Sequence, residues 1–591
     1  MVDIERASVT RRHLLSGAAA AGVATAAAPL LAGPAAAAEV AAGTTTATPQ
    51  DAIKHIVFLM LENRSFDHLF GTLSGVRGFD DRSVTRPDGG SIFAQYDPVT
   101  EKYELPFRLS ESNDGQGDAD LSHNWGPQHI SLNNGTNDNW IKAHRDADGP
   151  TKGPFTMAYF TRDDVPYHYA LADTFTVCDN YFCSVLGPTY PNRLLWQMGS
   201  LDADATGGGP LLTTDESVFT DNNGMGVFDY PTYPERLTAA GVTWQAYTDA
   251  GSNHLLNMFP AFTQYNKPTG STADRTNYTR GTQGTSQGGF LAAVQTGTLP
   301  DVSWIFPTAQ STEHPGDGPI NAGPQYYEPI ITALMKSPSW ANTVLLLTYD
   351  ENDGYFDHVP PPGAPAGTPG EYLKGPAFGS AASSTDPTTG KTTSAKDPSD
   401  GISGPVGLGF RVPNLVISPF SRGGKVNSEL FDHTSCLKLV ETVFGVSPRG
   451  IVSDWRYNLV GDLTSTMDFS NPDTSAAPAA LAAAFAASQQ MLTPMGTETV
   501  PADGVMPVQE TTPVRPRIGP NPDFAQPPAS VMPEVATPAL LVAAGLAAAT
   551  GAIAARRIRA GGKGDATHAG GHLAAPAPAP ATVPADQQDP A

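Results

Sequence analysis

The sequence predicts an α/β protein built on a mostly parallel sheet, and three observations carry that reading. Short apolar runs rich in branched residues stop abruptly at polar pairs, as buried central strands do. Stretches with helical spacing lie between them, and such alternation argues for a sheet covered on both faces. Gly and Pro supply 59 and 54 of the 591 residues, a share that suits many loops and disfavours an all-helical bundle.

The first strand is expected over residues 53–61 (IKHIVFLML), stopping at Glu62-Asn63. Residues 242–247 and 302–306 read as further strands. Residues 343–349 (TVLLLTY) form another and stop at Asp350-Glu351, and residues 414–418 follow. Helices are expected over 326–335 and 436–444, the latter capped by Thr434 or Ser435. Ligands of such sheets bind outside the carboxyl ends of the strands, so both acidic pairs should meet on one edge.

The two ends read differently. Thr10-Arg11-Arg12-His13-Leu14-Leu15, an Ala-rich apolar stretch and Ala35 to Ala38 form a twin-arginine export signal over residues 1–38. Residues 536–555 carry no charge and are followed by Arg556, Arg557 and Arg559, the pattern of a C-terminal transmembrane anchor with its basic flank in the cytoplasm. Between lies a globular region over 50–465 and then, at 466–535, a stretch rich in Ala, Pro and Thr, read as a disordered stalk; 556–591 is read as a disordered cytoplasmic tail. Localisation is therefore expected at the outer face of the membrane or in the wall.

With 35 Lys+Arg against 59 Asp+Glu, the net charge is −24. So acidic a chain repels phosphate backbones, and nucleic acid is excluded as a partner. Three cysteines cannot build a disulfide framework.

A carboxylate ending one strand is ordinarily a solvated turn. Oxygen ligands from two strand ends are what a hard divalent cation needs, because carboxylate charge must offset its dehydration. His123, His129, His314, His358 and His433 all sit in loops rich in Gly, Pro, Asn and Asp. In Gly187-Pro188-Thr189-Tyr190-Pro191 the Gly-Pro pair forces a turn, placing Thr189 at or just before a helix start. There its hydroxyl can cap the helix or attack a phosphorus whose oxygens the helix N–H groups hold.

The segments Glu62-Asn63-Arg64-Ser65-Phe66-Asp67-His68, Gly187-Pro188-Thr189-Tyr190-Pro191-Asn192-Arg193 and Thr348-Tyr349-Asp350-Glu351-Asn352-Asp353-Gly354-Tyr355-Phe356-Asp357-His358-Val359-Pro360-Pro361-Pro362 resemble the bacterial phosphoesterase family of phospholipases C and acid phosphatases. The resemblance covers about residues 50–465 and implies an alkaline-phosphatase-like α/β/α sandwich. It implies a divalent metal held by Glu62, Asn63, Asp350, Glu351 and Thr189, with Thr189 as nucleophile. His123, His314 and His358 would surround the phosphoryl group, one of them protonating the leaving oxygen.

Three functions follow as expectations: a phospholipase C acting on phospholipids such as phosphatidylcholine, an anchored acid phosphatase acting on small phosphate esters, or a non-catalytic surface adhesin. Few basic residues lie near the motifs (Arg64, Arg193 and Lys54), which favours the singly charged diester. Trp125, Trp140, Tyr159 and Tyr167 are candidates for a choline cage.

Overall fold

The computed structural model describes residues 47–109, 119–214, 226–249, 256–282, 286–374, 403–492, 500 and 504–520. The central sheet has seven strands: β1 (His55–Leu61), β2 (Thr176–Cys178), β3 (Trp244–Thr248), β4 (Val302–Phe306), β5 (Thr343–Tyr349), β6 (Asn414–Ile417) and β7 (Val426–Asn427). Their spatial order is β7-β2-β6-β5-β1-β4-β3. β1 pairs in parallel with β5 on one side and β4 on the other, and β4 pairs in parallel with β3. The strand expected at 414–418 forms, but it runs antiparallel to both β5 and β2. One reversed strand leaves the sheet mostly parallel, as the sequence predicts. β2 and β7 went unanticipated because they are too short to show a hydrophobic period.

Every residue of β5 is buried, so both sheet faces are covered. The helices that matter below are α1 (Phe66–Phe70), α2 (Trp125–Leu132), α3 (Trp140–Lys152), α4 (Pro166–Thr174), α5 (Thr189–Met198), α6 (Gly323–Lys336), α7 (Ser435–Phe444) and α8 (Ala479–Ser488). α5 docks on the sheet through Trp196, whose ring lies 6.2 Å from Phe58 of β1 and 5.9 Å from Phe306 of β4. The two expected helices are present as α6 and α7. Thr434 stands at the cap position of α7, but its hydroxyl donates to Asp432 Oδ1 (2.6 Å) and caps nothing.

The stalk expected from residue 466 is corrected over its described part. α8 lies on α4, with Leu481 buried and Phe485 against Tyr167 (5.6 Å). Residues 504–520 are strapped to the same body. Gln509 Nε2 donates to Leu73 O (2.7 Å) and Val76 O (3.0 Å), and Arg515 Nη1 to Ala172 O (2.7 Å). The strap continues the sheet edge, with Val426 N donating to Pro516 O and Ile518 N to Val426 O. Composition misled over the strap because backbone and polar anchoring, rather than large apolar side chains, hold residues 504–520. The expected signal (1–38), span (536–555) and tail (556–591) lie outside the described residues. Among the described residues no helix is long and apolar enough to cross a membrane. Cys178, Cys183 and Cys436 are all free and buried.

Candidate active site

The parallel register sets the site. Leu61 pairs with Tyr349, so Glu62 and Asp350 leave neighbouring strands at the same level. The chain then turns sharply at Asn63 (φ 66°) and at Asp353 (φ 58°), left-handed conformations that Asn and Asp tolerate better than other side chains. The turns lock together. Asn63 N donates to Asp350 Oδ1 (3.2 Å), Asn63 Nδ2 to Asp353 Oδ1 (3.0 Å) and Glu351 N to Asp350 Oδ1 (2.9 Å). Gly354 (φ 88°) is obligatory, because a Cβ there would lie 2.3 Å from the His144 ring.

α5 brings Thr189 to this edge. Asn192 shapes the loop before it, accepting from Val185 N (2.8 Å) and donating to Gly187 O and Pro188 O (both 3.0 Å). Thr189 is the first residue of the helix and buried, and no side chain caps the helix start. Arg193, one turn on and so on the same face, donates through Nε to Asp350 Oδ2 (3.0 Å) and approaches Glu62 Oε1 (3.5 Å). Arg193 thereby ties the helix that begins at Thr189 to the two strand ends.

His123 and His314 complete the group, their rings 6.1 Å apart. His123 Nδ1 lies 3.2 Å from Asp353 Oδ1 and its Nε2 3.9 Å from Glu351 Oε1. Ligand atoms of His123, His314 and Asp353 are mutually within 4.8 Å. Asp353 was missed by the sequence reading although it touches both Asn63 and His123. Its signal was available as a third acid of the strand-end run, just before a glycine.

Charge is unbalanced here. Burial pushes the Asp350 carboxyl up to about 6, with Arg193 pulling it down and Glu62 adding to the rise. Burial also drives Glu351 well above the carboxylate range, with Asp350 and Asp353 reinforcing it against His123. Burial opposes charge on His123, yet Glu351 and Asp353 hold it well above the usual histidine value. His314 is raised likewise, by Glu62 and Asp353 against burial. Crowded carboxylates calling for positive charge suit a cation. Two buried oxygens without a hydrogen-bond partner, Asn63 Oδ1 and Glu351 Oε1, add hard donor atoms. The residues present therefore fit a divalent metal ion.

His358 is not part of this group, and its expected role at the phosphoryl is corrected. Its ring is fully buried, with Nδ1 donating to Asp67 Oδ2 (2.6 Å) and Nε2 to Asp81 Oδ2 (3.1 Å). Both nitrogens are committed, so none remains for a substrate. His433 is likewise structural, its Nε2 donating to Asp350 O (2.7 Å). Lys54 donates to Gln50 O at the opposite end of β1. The four aromatic candidates do not form one cage: Trp125 stacks on His129, Trp140 lies against Phe410, Tyr159 against Phe79 and Tyr167 against Tyr327.

Comparison with known proteins bears on this geometry. A family model described as "Phosphoesterase family" matches residues 53–447. The chain is 40% identical over 495 residues to "Phospholipase C A" of Mycobacterium tuberculosis, covering 78% of this chain and 89% of that one. It is 42% identical over 442 residues to "Phospholipase C B" of the same organism, covering 72% and 80%. With the "Non-hemolytic phospholipase C" of Pseudomonas aeruginosa it shares 38% identity, over 78% of this chain and 63% of that one. A solved structure described as a protein in the alkaline phosphatase superfamily from Vibrio parahaemolyticus matches at 11% identity and TM-score 0.30, covering 71% of each chain.

Proposed function

Because the chain belongs to the phosphoesterase family and is a hydrolase of phosphoester bonds, we propose that it is an exported, metal-dependent phospholipase C. It would cleave the glycerol-side P–O bond of phosphatidylcholine or a similar phospholipid, releasing diacylglycerol and a phosphorylated headgroup. What supports this reading is Thr189 as the first residue of α5, with Arg193 of the same helix bound to Asp350 and beside Glu62, the residues that follow two adjacent strand ends.

Glu62, Asn63, Asp350 and Thr189 would hold the metal, with Glu351 near, and the bound ion would lower the hydroxyl pKa and offset phosphoryl charge. Thr189 Oγ1 attacks phosphorus, the diacylglycerol alkoxide departs, and a phosphothreonine diester that still carries the headgroup remains for water to hydrolyse, releasing the phosphorylated headgroup. Backbone N–H groups at the start of α5 bind the phosphoryl oxygens. His314 would supply the leaving-group proton from Nε2, since its Nδ1 is engaged by Pro315 O (2.7 Å). His123, held protonated by Glu351 and Asp353, balances charge beside it.

The direct test is the purified protein on phosphatidylcholine and on p-nitrophenyl phosphate. Faster turnover of the diester supports the proposal, whereas turnover of the monoester alone would establish the anchored acid phosphatase instead. The adhesin reading is dropped, since the chain is an ester hydrolase. For the metal, Asp350→Ala is expected to lose the ion on dialysis with the sheet intact. Full metal content in that variant, by elemental analysis, would refute the ligand set. Export and anchoring are part of the proposal: truncation before Ala536 should release active enzyme into the medium, and equal release of the full-length protein would defeat the anchor.

A further inference from the structure

Six large apolar side chains remain exposed among the described residues: Tyr96, Val99, Tyr103, Val505, Val508 and Val514, at 45% to 87% exposure. They are not scattered. Three belong to a two-stranded ribbon (Gln95–Asp97 paired with Lys102–Glu104), and three to the strap of residues 504–520. The two segments meet where Gly504 approaches Leu105, since a Cβ there would lie 3.0 Å from the Leu105 Cβ.

Strand alternation explains how the ribbon exposes its rings. Gln95 and Asp97 point inward and are fully buried. Gln95 donates to Asn137 O (3.2 Å) and accepts from Trp140 N (3.2 Å), and Asp97 accepts from Arg145 Nε (3.1 Å). Tyr96 and Tyr103 must then face outward, opposite one another, their rings 5.6 Å apart. Arg86 lies over the Tyr103 ring (4.1 Å), and Val99 sits at the tip, its N–H bound to Asp97 Oδ1 (2.9 Å). The ribbon is not a loose flap. α3, which holds Gln95 and Asp97, also carries His144 against Gly354, next to Asp353 of the site.

We propose that the ribbon and the first part of the strap, presenting Tyr96, Val99, Tyr103, Val505 and Val508, form a docking surface for a zwitterionic phospholipid bilayer. This rests on the phospholipase reading, since such an enzyme must work at a lipid surface. Tyrosine, with an apolar ring and a polar tip, is the side chain that membrane interfaces favour. Among the described residues, concentration of every exposed large apolar side chain in two touching segments marks an interaction site rather than ordinary surface. A net charge of −24 makes an anionic surface unfavourable and selects a zwitterionic one.

The test uses the full-length chain. Its three native cysteines are buried, so an environment-sensitive fluorophore can be attached selectively at Val99→Cys, at Val505→Cys or, as control, at the exposed Gln295→Cys. With phosphatidylcholine vesicles, blue-shifted emission is expected at 99 and 505 and none at 295. No shift at 99, equal shifts at all three, or a protein-concentration-dependent shift without vesicles, which would mean a second copy of the chain, overturns the proposal. In parallel, Tyr96→Ser/Tyr103→Ser should lower hydrolysis of vesicles about tenfold or more while leaving soluble p-nitrophenyl phosphorylcholine unchanged. Equal losses on both substrates, or none on vesicles, also overturn it. A wild type that hydrolyses neither substrate defeats the phospholipase reading, and the emission shifts still decide docking.

Discussion

Thr189→Ala is expected to reduce turnover on the order of 10³-fold or more, with the fold essentially unchanged. Loss of a covalent nucleophile costs that much because no neighbouring group supplies the same bond. The structural cost is small: the hydroxyl does not cap α5, and even a true cap is worth only ~1 kcal/mol. Thr189→Ser should keep part of the activity, since the hydroxyl remains while the methyl that restricts its rotamer is lost. His314→Ala should behave differently. A p-nitrophenolate leaving group needs little protonation and a diacylglycerol alkoxide much, so the two rates should diverge for His314→Ala and fall together for Thr189→Ala. Acid quenching of the wild type during turnover should trap a phosphorylated Thr189, detectable by peptide mass spectrometry. Near wild-type rates in Thr189→Ala on both substrates would refute covalent catalysis.

The largest loss of stability is expected at Arg411, which no strand-end argument singles out. Its fully buried guanidinium donates to Asp357 Oδ1 and Oδ2 (2.9 and 3.0 Å), Asp67 Oδ1 (3.0 Å), Arg77 O and Asp179 O (both 2.8 Å). It also lies over the Phe66 ring (4.6 Å). This network joins the loop after β1 to the loop after β5, and β6 to both. Arg411→Met strands Asp357 without its cation and leaves Asp67 with His358 alone, which costs about 3–5 kcal/mol in a buried site. Thermal unfolding should show the midpoint several degrees lower; an unchanged midpoint would mean the network contributes nothing.

His358 belongs to the same network, and its pH dependence has a definite sign. Burial opposes its charge, but Asp67 and Asp81 raise its pKa above the usual 6.5. A raised histidine contributes stability that is complete below about 6.5 and fades as pH rises through the folded value. The stability gap between wild type and His358→Gln should therefore be widest below neutrality and narrow in alkali. A gap that widens with pH would show that the ring is neutral in the fold.

The sequence by itself determined the sheet class, four of the seven strands' approximate bounds besides the reversed one, and the meeting of Glu62-Asn63 with Asp350-Glu351. A parallel strand buried on both faces announces itself as an apolar run, and its first polar residue marks the edge where ligands bind. Thr189 at a helix start was legible for a similar reason, because Gly187-Pro188 and Pro191 act on the backbone locally. Only the tertiary structure decided the rest. The loop that places Asp353 between Asn63 and His123 depends on contacts between segments far apart in the chain, which no local pattern encodes. His123, His314 and His358 look alike in sequence, each in a polar loop. What separates them is which carboxylates the fold brings to each ring: Glu351 and Asp353 beside His123, Glu62 and Asp353 acting on His314, but Asp67 and Asp81 closing both nitrogens of His358. The strap at 504–520 reads as low-complexity linker for the same reason: its anchorage consists of backbone and long polar side chains meeting distant partners, and composition is blind to partners.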